Sequence, residues 1–243
     1  RHLQSILSEA CDEAFPDVPE IWNELLNLRE PSPSAVRGQK KLLEAMTTGN
    51  EEEGRAPDKN RLGIEGTPAE YGLYASIVQA TGMHREGDDG TWYFTHPYKE
   101  EKPGCYAVWN RIEESFREAS GKPVTVDTFF DELAKRPYGM RAGLTPVFLF
   151  AYFKANEDEI AFYENGTFLQ QIDYGMIERL LKTPSKFEMQ QVTIEGPRRD
   201  VLEHLAPLVG LADDDRKPLP VVLRILREIH GLPPYVRKTS RMS

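Results

Sequence analysis

The chain has 243 residues, of which 40% are hydrophobic and 28% charged, and this composition is typical of a folded globular protein. Its formal net charge of −9 argues against a protein that coats nucleic acid. Two cysteines, Cys11 and Cys105, are too few for a disulfide framework and indicate a reducing compartment, so we expect a cytoplasmic protein. The sequence contains no apolar run long enough to span a bilayer and no visible signal peptide.

The first predicted segment, residues 1–56, is helical. Apolar residues at helical spacing predict an amphipathic helix over residues 3–10, and further helices are predicted from Pro19 and from Ser34 to Met46. The polar, glycine-containing stretch Thr47–Asn60 is typical of a mobile loop or linker.

The second segment, residues 57–121, contains a helix followed by a hairpin. Thr67 is a predicted helix cap, and Glu70 stands where it would complete a capping box. The helix is expected to end near Gly82. Two β-prone runs separated by a glycine-rich turn predict the hairpin, with strands at Met83–Glu86 and Thr91–His96.

The third segment, residues 122–195, repeats this order. Thr145 opens an apolar helical run, and Asn165-Gly166 lies between two β-prone runs, Glu159–Glu164 and Thr167–Ile172. Both turn residues tolerate positive φ, which makes this the clearest hairpin signal in the chain. The last segment, residues 196–243, is predicted to hold the C-terminal helices and a basic tail.

These elements predict a mainly helical α+β fold with two winged-helix-like units and flanking helices. A winged-helix module contains a helix followed by a hairpin, and such modules bind either DNA or protein. Strands and helices do not alternate as they do in a doubly wound sheet.

Familiar catalytic motifs are absent from the sequence. It contains neither a phosphate-binding G-x-x-x-x-G-K-[ST] loop nor G-x-G-x-x-G, H-E-x-x-H, C-x-x-C or G-x-S-x-G. We therefore predict no cofactor and no metal site in this chain. His84 and His96 flank the first hairpin, with Cys105 nearby, and we interpret both histidines as surface residues rather than metal ligands.

The helices of the two repeated units are poorly suited to reading DNA. The run Pro68–Gly82 carries no Lys or Arg, and Pro146–Ala155 is apolar on nearly every face. A helix that is apolar all round is buried. The hairpin tips are acidic and would repel phosphate, so the repeat favours a scaffold or a protein-binding surface.

The last 28 residues are the better candidate for binding nucleic acid. Residues 216–243 contain seven Lys or Arg and one acid, a net charge of +6, which leaves −15 for the rest of the chain. The alternative interpretation is a solvated helix face that complements the acidic body. The candidate contacts to nucleic acid are Arg224, Arg227, Arg237, Lys238 and Arg241.

A loop between two apolar helices is a candidate ligand or phosphate site. It contains Arg136, Tyr138 and Arg141, and paired guanidinium groups hold carboxylates or phosphates in bidentate geometry. The alternative is a structural turn in which Tyr138 packs inward and the arginines are solvated.

Four segments resemble parts of large, poorly characterised bacterial P-loop ATP-binding proteins, some of which are found in phage-defence gene clusters: Arg61–Tyr74, Arg136–Phe153, Glu159–Phe168 and Leu232–Ser243. In that family the nucleotide site lies in the P-loop domain, and this chain contains none of its residues. The resemblance implies an internal, non-catalytic module of a multidomain protein.

Our leading hypothesis is therefore a non-catalytic interaction or regulatory module cut from a larger bacterial protein. Its partners would be other domains of the same polypeptide or a separate protein, without a membrane. One alternative is a nucleic-acid-binding module that uses the basic C-terminal segment. Another is an enzyme whose site surrounds residues 136–141.

Overall fold

The structure is a computed structural model, and it describes residues 2–23, 32–192, 197–208, 210 and 218–231. The fold is α+β. The α-helices are α1 (His2–Ala14), α2 (Pro33–Met46), α3 (Ala69–Leu73), α4 (Pro103–Ala119), α5 (Val126–Ala134), α6 (Thr145–Ala155), α7 (Tyr174–Lys182), α8 (Pro197–Leu208) and α9 (Pro218–Gly231). A π-helical turn, Tyr74–Gln79, continues α3, and short 3-10 turns occupy Asn60–Gly63 and Pro184–Lys186. No helix of the described residues is long and apolar enough to cross a membrane.

The strands form two small antiparallel sheets. They are β1 (His84–Glu86), β2 (Trp92–Phe94), β3 (Val124–Thr125), β4 (Ile160–Glu164), β5 (Thr167–Phe168) and β6 (Phe187–Gln191). Strands β1 and β2 pair with each other, and the remaining four have the order β3-β6-β4-β5.

Both repeated units contain the predicted helix followed by a hairpin. The first hairpin pairs His84 with Phe94. In the second, β4 pairs with β5 across the tight turn, where Asn165 and Gly166 have φ of 50° and 76°. Strand β4 also pairs along its whole length with β6, so this hairpin is built into the larger sheet.

Helix α6 lies at the centre of the main hydrophobic core. Every residue from Thr145 to Tyr152 is buried, as its uniformly apolar sequence predicts. Phe150 and Phe153 contact Phe162 of β4, with ring centroids 5.8 and 5.0 Å apart. One cluster of buried side chains extends from Ile21 to Met189 and unites both helix–hairpin units.

Helices α8 and α9 pack against each other in a second, separate cluster. Ala206 and Val221 are fully buried, and Leu205 and Ile225 cover them. These two hydrophobic clusters do not merge among the described residues, so a cleft remains between α9 and the main core.

The prediction of a helix that begins at Pro19 is wrong for residues 19–23, the part of that segment that the structure describes. Residues 18–23 are not helical, and the backbone N–H of Ile21 donates to the Pro19 carbonyl. The Asn23 side chain donates to the Ser76 hydroxyl on the π-helical turn, which fixes this segment against its neighbour. Trp22 is 84% exposed.

The stretch predicted as a mobile linker is instead held by an ion pair. Asn50 and Arg55 exchange both backbone hydrogen bonds. The Arg55 guanidinium reaches the Glu70 carboxylate, with Nη2 2.6 Å from Oε1. Glu70 therefore does not complete a capping box, and α3 has no side-chain cap at its N-terminus.

Candidate functional site

A cleft of about 530 Å³ separates α9 from the second helix–hairpin unit. This volume falls in the range that holds small organic ligands. Its inner wall consists of apolar side chains from α6, from β4 and from the chain that follows β5: Phe153, Ile160, Phe162, Leu169 and Ile172. Helix α9 supplies the opposite wall with Leu219, Pro220 and Leu223.

The threonine hydroxyls that line the cleft are already used within the protein. Thr47 Oγ1 donates to the Leu43 carbonyl at 2.9 Å, and Thr48 Oγ1 donates to the Ile172 carbonyl at 3.0 Å. The O–H donor of each threonine is therefore already satisfied, so neither hydroxyl requires a hydrogen-bond acceptor from a ligand. The inner part of the cleft therefore offers mainly apolar contact.

Charged side chains lie at the mouth of the cleft. Arg224 and Arg227 come from α9, and Glu157 and Asp158 follow α6. Arg224 pairs with Glu228, with Nη2 3.0 Å from Oε1. Glu157 pairs with Lys154 of the preceding helix, which neutralises that carboxylate locally.

Two of the five predicted nucleic-acid contacts line this cleft. Arg224 and Arg227 lie three residues apart on α9, one turn of helix, and both face the same opening. The other three, Arg237, Lys238 and Arg241, lie outside the described residues. Binding of nucleic acid by this segment stays a prediction.

The predicted ligand loop does not bring its three residues together. Arg141 lines a groove of about 460 Å³ with Ile21 and Met140, whereas Arg136 and Tyr138 are not part of its walls. The Arg136 guanidinium lies 5.8 Å from the centre of the Phe15 ring. Tyr138 is half-buried against the main core, and this burial raises its pKa.

The 136–141 loop also receives Phe15 from the end of α1. Gly139 has φ of +54°, and a Cβ at this position would lie 2.6 Å from Cδ1 of Phe15. The Pro137 carbonyl accepts a hydrogen bond from the backbone N–H of Asp17. These contacts give the loop a structural task, which agrees with the alternative interpretation of its sequence.

His84 lies in the core, so its interpretation as a surface residue is wrong. Its side chain is 2% exposed, with Nε2 2.9 Å from the Pro57 carbonyl and Nδ1 3.0 Å from the Tyr74 hydroxyl. A carbonyl only accepts, so Nε2 carries the proton and Nδ1 accepts from Tyr74. Burial lowers the pKa of His84 to about 4, and it is therefore neutral at pH 7.

The residues near the first hairpin do not form a metal centre in the structure. No group of three His, Cys, Asp or Glu side chains within the described ranges is arranged to hold a metal ion. Cys105 is buried at the start of α4, and burial raises its pKa to about 12, so the thiolate that a metal needs is disfavoured.

Sequence reasoning identified the arginines of the cleft but not its apolar walls. Phe153 belongs to a helical run that was predicted to be buried, Phe162 to a predicted hairpin strand, and Leu223 to a predicted C-terminal helix. No local pattern marks a core residue that also borders a cavity, because the cavity exists only where α9 meets the sheet. The helical spacing of Arg224 and Arg227 was the one usable signal.

In comparisons with known proteins, no protein-family model, no curated protein and no solved structure matches this chain.

Proposed function

We propose that this chain is a non-catalytic interaction or regulatory module that binds a ligand in the cleft between α9 and the second helix–hairpin unit. The observation that carries the proposal is an apolar cleft of about 530 Å³ between two separately packed hydrophobic clusters. Concave, mostly apolar surfaces with a few charged groups are the usual form of a binding site.

A binding role fits the cleft better than a catalytic one. Its threonine hydroxyls are committed to backbone carbonyls, and two of its charged groups are held in ion pairs. General acid–base or nucleophilic catalysis would instead need a reactive group presented to the substrate. The second wall of the cleft is α9, which packs in its own small hydrophobic cluster. Binding of a ligand in the cleft would therefore shift the position of α9 relative to the main core.

The wider setting of the proposal follows from the sequence. The resemblance to bacterial P-loop ATP-binding proteins supports an internal module of a larger cytoplasmic protein, with other domains or a protein partner responding to α9. The two helix–hairpin units would act as winged-helix-like scaffolds in this arrangement. The buried helix α6 supports that role, because its apolar faces serve the core.

An uncharged fluorescent probe of apolar sites, N-phenylnaphthylamine, tests the proposal. We expect saturable binding to the wild-type chain. Leu223→Gln should weaken it about fivefold, since a half-buried leucine contributes roughly 1 kcal/mol of apolar contact.

Val222→Gln is the matched control, because Val222 is the next residue on α9, is 37% exposed and does not line the cleft. Thermal unfolding of each variant shows that the fold is kept. The absence of saturable binding, or equal weakening by both substitutions, would contradict the proposal.

The nucleic-acid alternative has a separate test. Binding to random duplex DNA at low salt, with a steep loss of affinity as salt rises, would support it. An absence of binding at low salt would remove this alternative and leave the cleft proposal unaffected.

A further inference from the structure

Among the residues that the structure describes, the charges at the mouth of the cleft include one arginine that forms no ion pair. Arg224 is paired with Glu228, and Glu157 with Lys154. Arg227 is exposed and has no ion pair among the residues that the structure describes. Its guanidinium therefore retains its full capacity for a bidentate contact with an anion.

The arrangement behind Arg227 is directional. Leu223 lies four residues earlier on α9, one helical turn deeper in the cleft, and Leu219 lies one turn deeper still. The facing wall is aromatic and aliphatic, from Phe153 and Phe162. A ligand that satisfies both parts needs an apolar body inside and a single anionic group at the mouth.

The side chains deeper in the cleft do not favour a polar body such as a peptide backbone. Each buried amide that entered would need a hydrogen-bond partner, at a cost of about 1–3 kcal/mol where none is supplied. Among the uncharged polar side chains that line the cleft, the two threonine hydroxyls already donate to the carbonyls of Leu43 and Ile172, and Gln170 and Gln171 are exposed to solvent. A hydrocarbon chain makes no such demand.

We infer that the cleft binds an aliphatic carboxylate, with its acyl chain against the apolar walls and its carboxylate on Arg227. This inference rests on the proposed binding role of the cleft and adds the chemical class of the ligand. The Asp158 carboxylate lies at the same mouth and would repel a second negative charge, which favours a monoanion over a phosphate.

Competition with N-phenylnaphthylamine tests the head group. Dodecanoate, dodecanol and dodecyltrimethylammonium share one chain and differ in charge, and each is used below the concentration at which it forms micelles. We expect dodecanoate to displace the probe at about tenfold lower concentration than dodecanol, and dodecyltrimethylammonium to be the weakest.

Arg227→Gln should remove the tenfold advantage of dodecanoate and leave the affinity for dodecanol unchanged. Arg117→Gln is the matched control, because Arg117 is an exposed arginine of α4 outside the cleft, and it makes the same change in net charge. The advantage of dodecanoate should persist in that variant.

The outcomes separate this inference from the proposed function. Probe binding that is displaced equally by all three ligands, or a dodecanoate advantage that survives Arg227→Gln, would overturn the carboxylate assignment and leave the cleft as a binding site. Failure of the probe itself to bind would overturn both.

Discussion

The ion pair between Arg55 and Glu70 supports a specific prediction about stability. The side chain of Arg55 is 9% exposed and that of Glu70 is 6% exposed, so both charges are almost fully removed from water. Glu53 also reaches the same Arg55 nitrogen at 2.9 Å, but its side chain is 39% exposed. One carboxylate is therefore buried with the guanidinium, and the other remains in contact with solvent.

Glu70→Gln removes the buried negative charge and leaves the guanidinium with Glu53 alone. Removing one partner of a buried pair costs about 3–5 kcal/mol, and the remaining contact with Glu53 places the expected loss near the lower end, about 3 kcal/mol. Such a loss is a large share of the stability of an ordinary domain. Because the pair fixes the 47–60 loop to α3, that loop should also become more accessible to protease.

Urea unfolding of the wild type and the variants measures the free energies. Glu53→Gln is the matched control, with an expected loss below about 1 kcal/mol because the Glu53 side chain is 39% exposed and its carboxylate stays in contact with water. The double substitution Arg55→Met with Glu70→Leu should recover most of the loss, since no charge is then left buried. A cost for Glu70→Gln equal to that for Glu53→Gln would refute the reasoning.

Two further predictions concern single residues. The pKa of His84 is about 4 in the folded chain against 6.5 for an unperturbed histidine, so the unfolded chain binds more protons between these values. The stability contributed by the neutral His84 side chain should be complete above pH 6.5 and fall by up to about 3 kcal/mol as the pH approaches 4. His84→Gln should flatten this dependence in urea titrations across that range, and an unchanged pH profile would contradict the assignment. Gly139→Ala should lower the free energy of unfolding by about 1–3 kcal/mol, because φ is +54° and the new Cβ would meet Phe15. Gly72→Ala lies at the end of α3 with open space around it, so it should be neutral or stabilising by up to about 1 kcal/mol. Thermal unfolding compares the two alanine variants, and an equal loss of stability in both would contradict the prediction.

The helix–hairpin repeat and the burial of α6 could be read from the sequence. Asn165 and Gly166 define a turn by their own backbone preferences, and both have positive φ in the structure. The run from Pro146 to Tyr152 has too few polar side chains for any face to meet water. Both features depend on residues that are close in the chain, so they can be predicted without knowing the rest of the fold.

The sequence prediction was weaker wherever the decisive partner lies far along the chain. Glu70 has the spacing of a capping box, but pairing with Arg55 overrides that local pattern. Pro19 could begin a helix, but Asn23 is tied to Ser76. In each case a charge or amide buried by tertiary packing had to be satisfied, and this requirement outweighs a local preference worth about 1 kcal/mol.

By itself, the sequence determined an α+β chain with two helix–hairpin units and an arginine pair on its last described helix. Only the tertiary structure decided that β4 is held by β6, that His84 is buried, and that Arg227 stands at the mouth of an apolar cleft. Helices and tight turns are set by short-range sterics and hydrogen bonds. A cleft is set by where two separately packed surfaces stop touching, and no run of residues encodes that boundary alone.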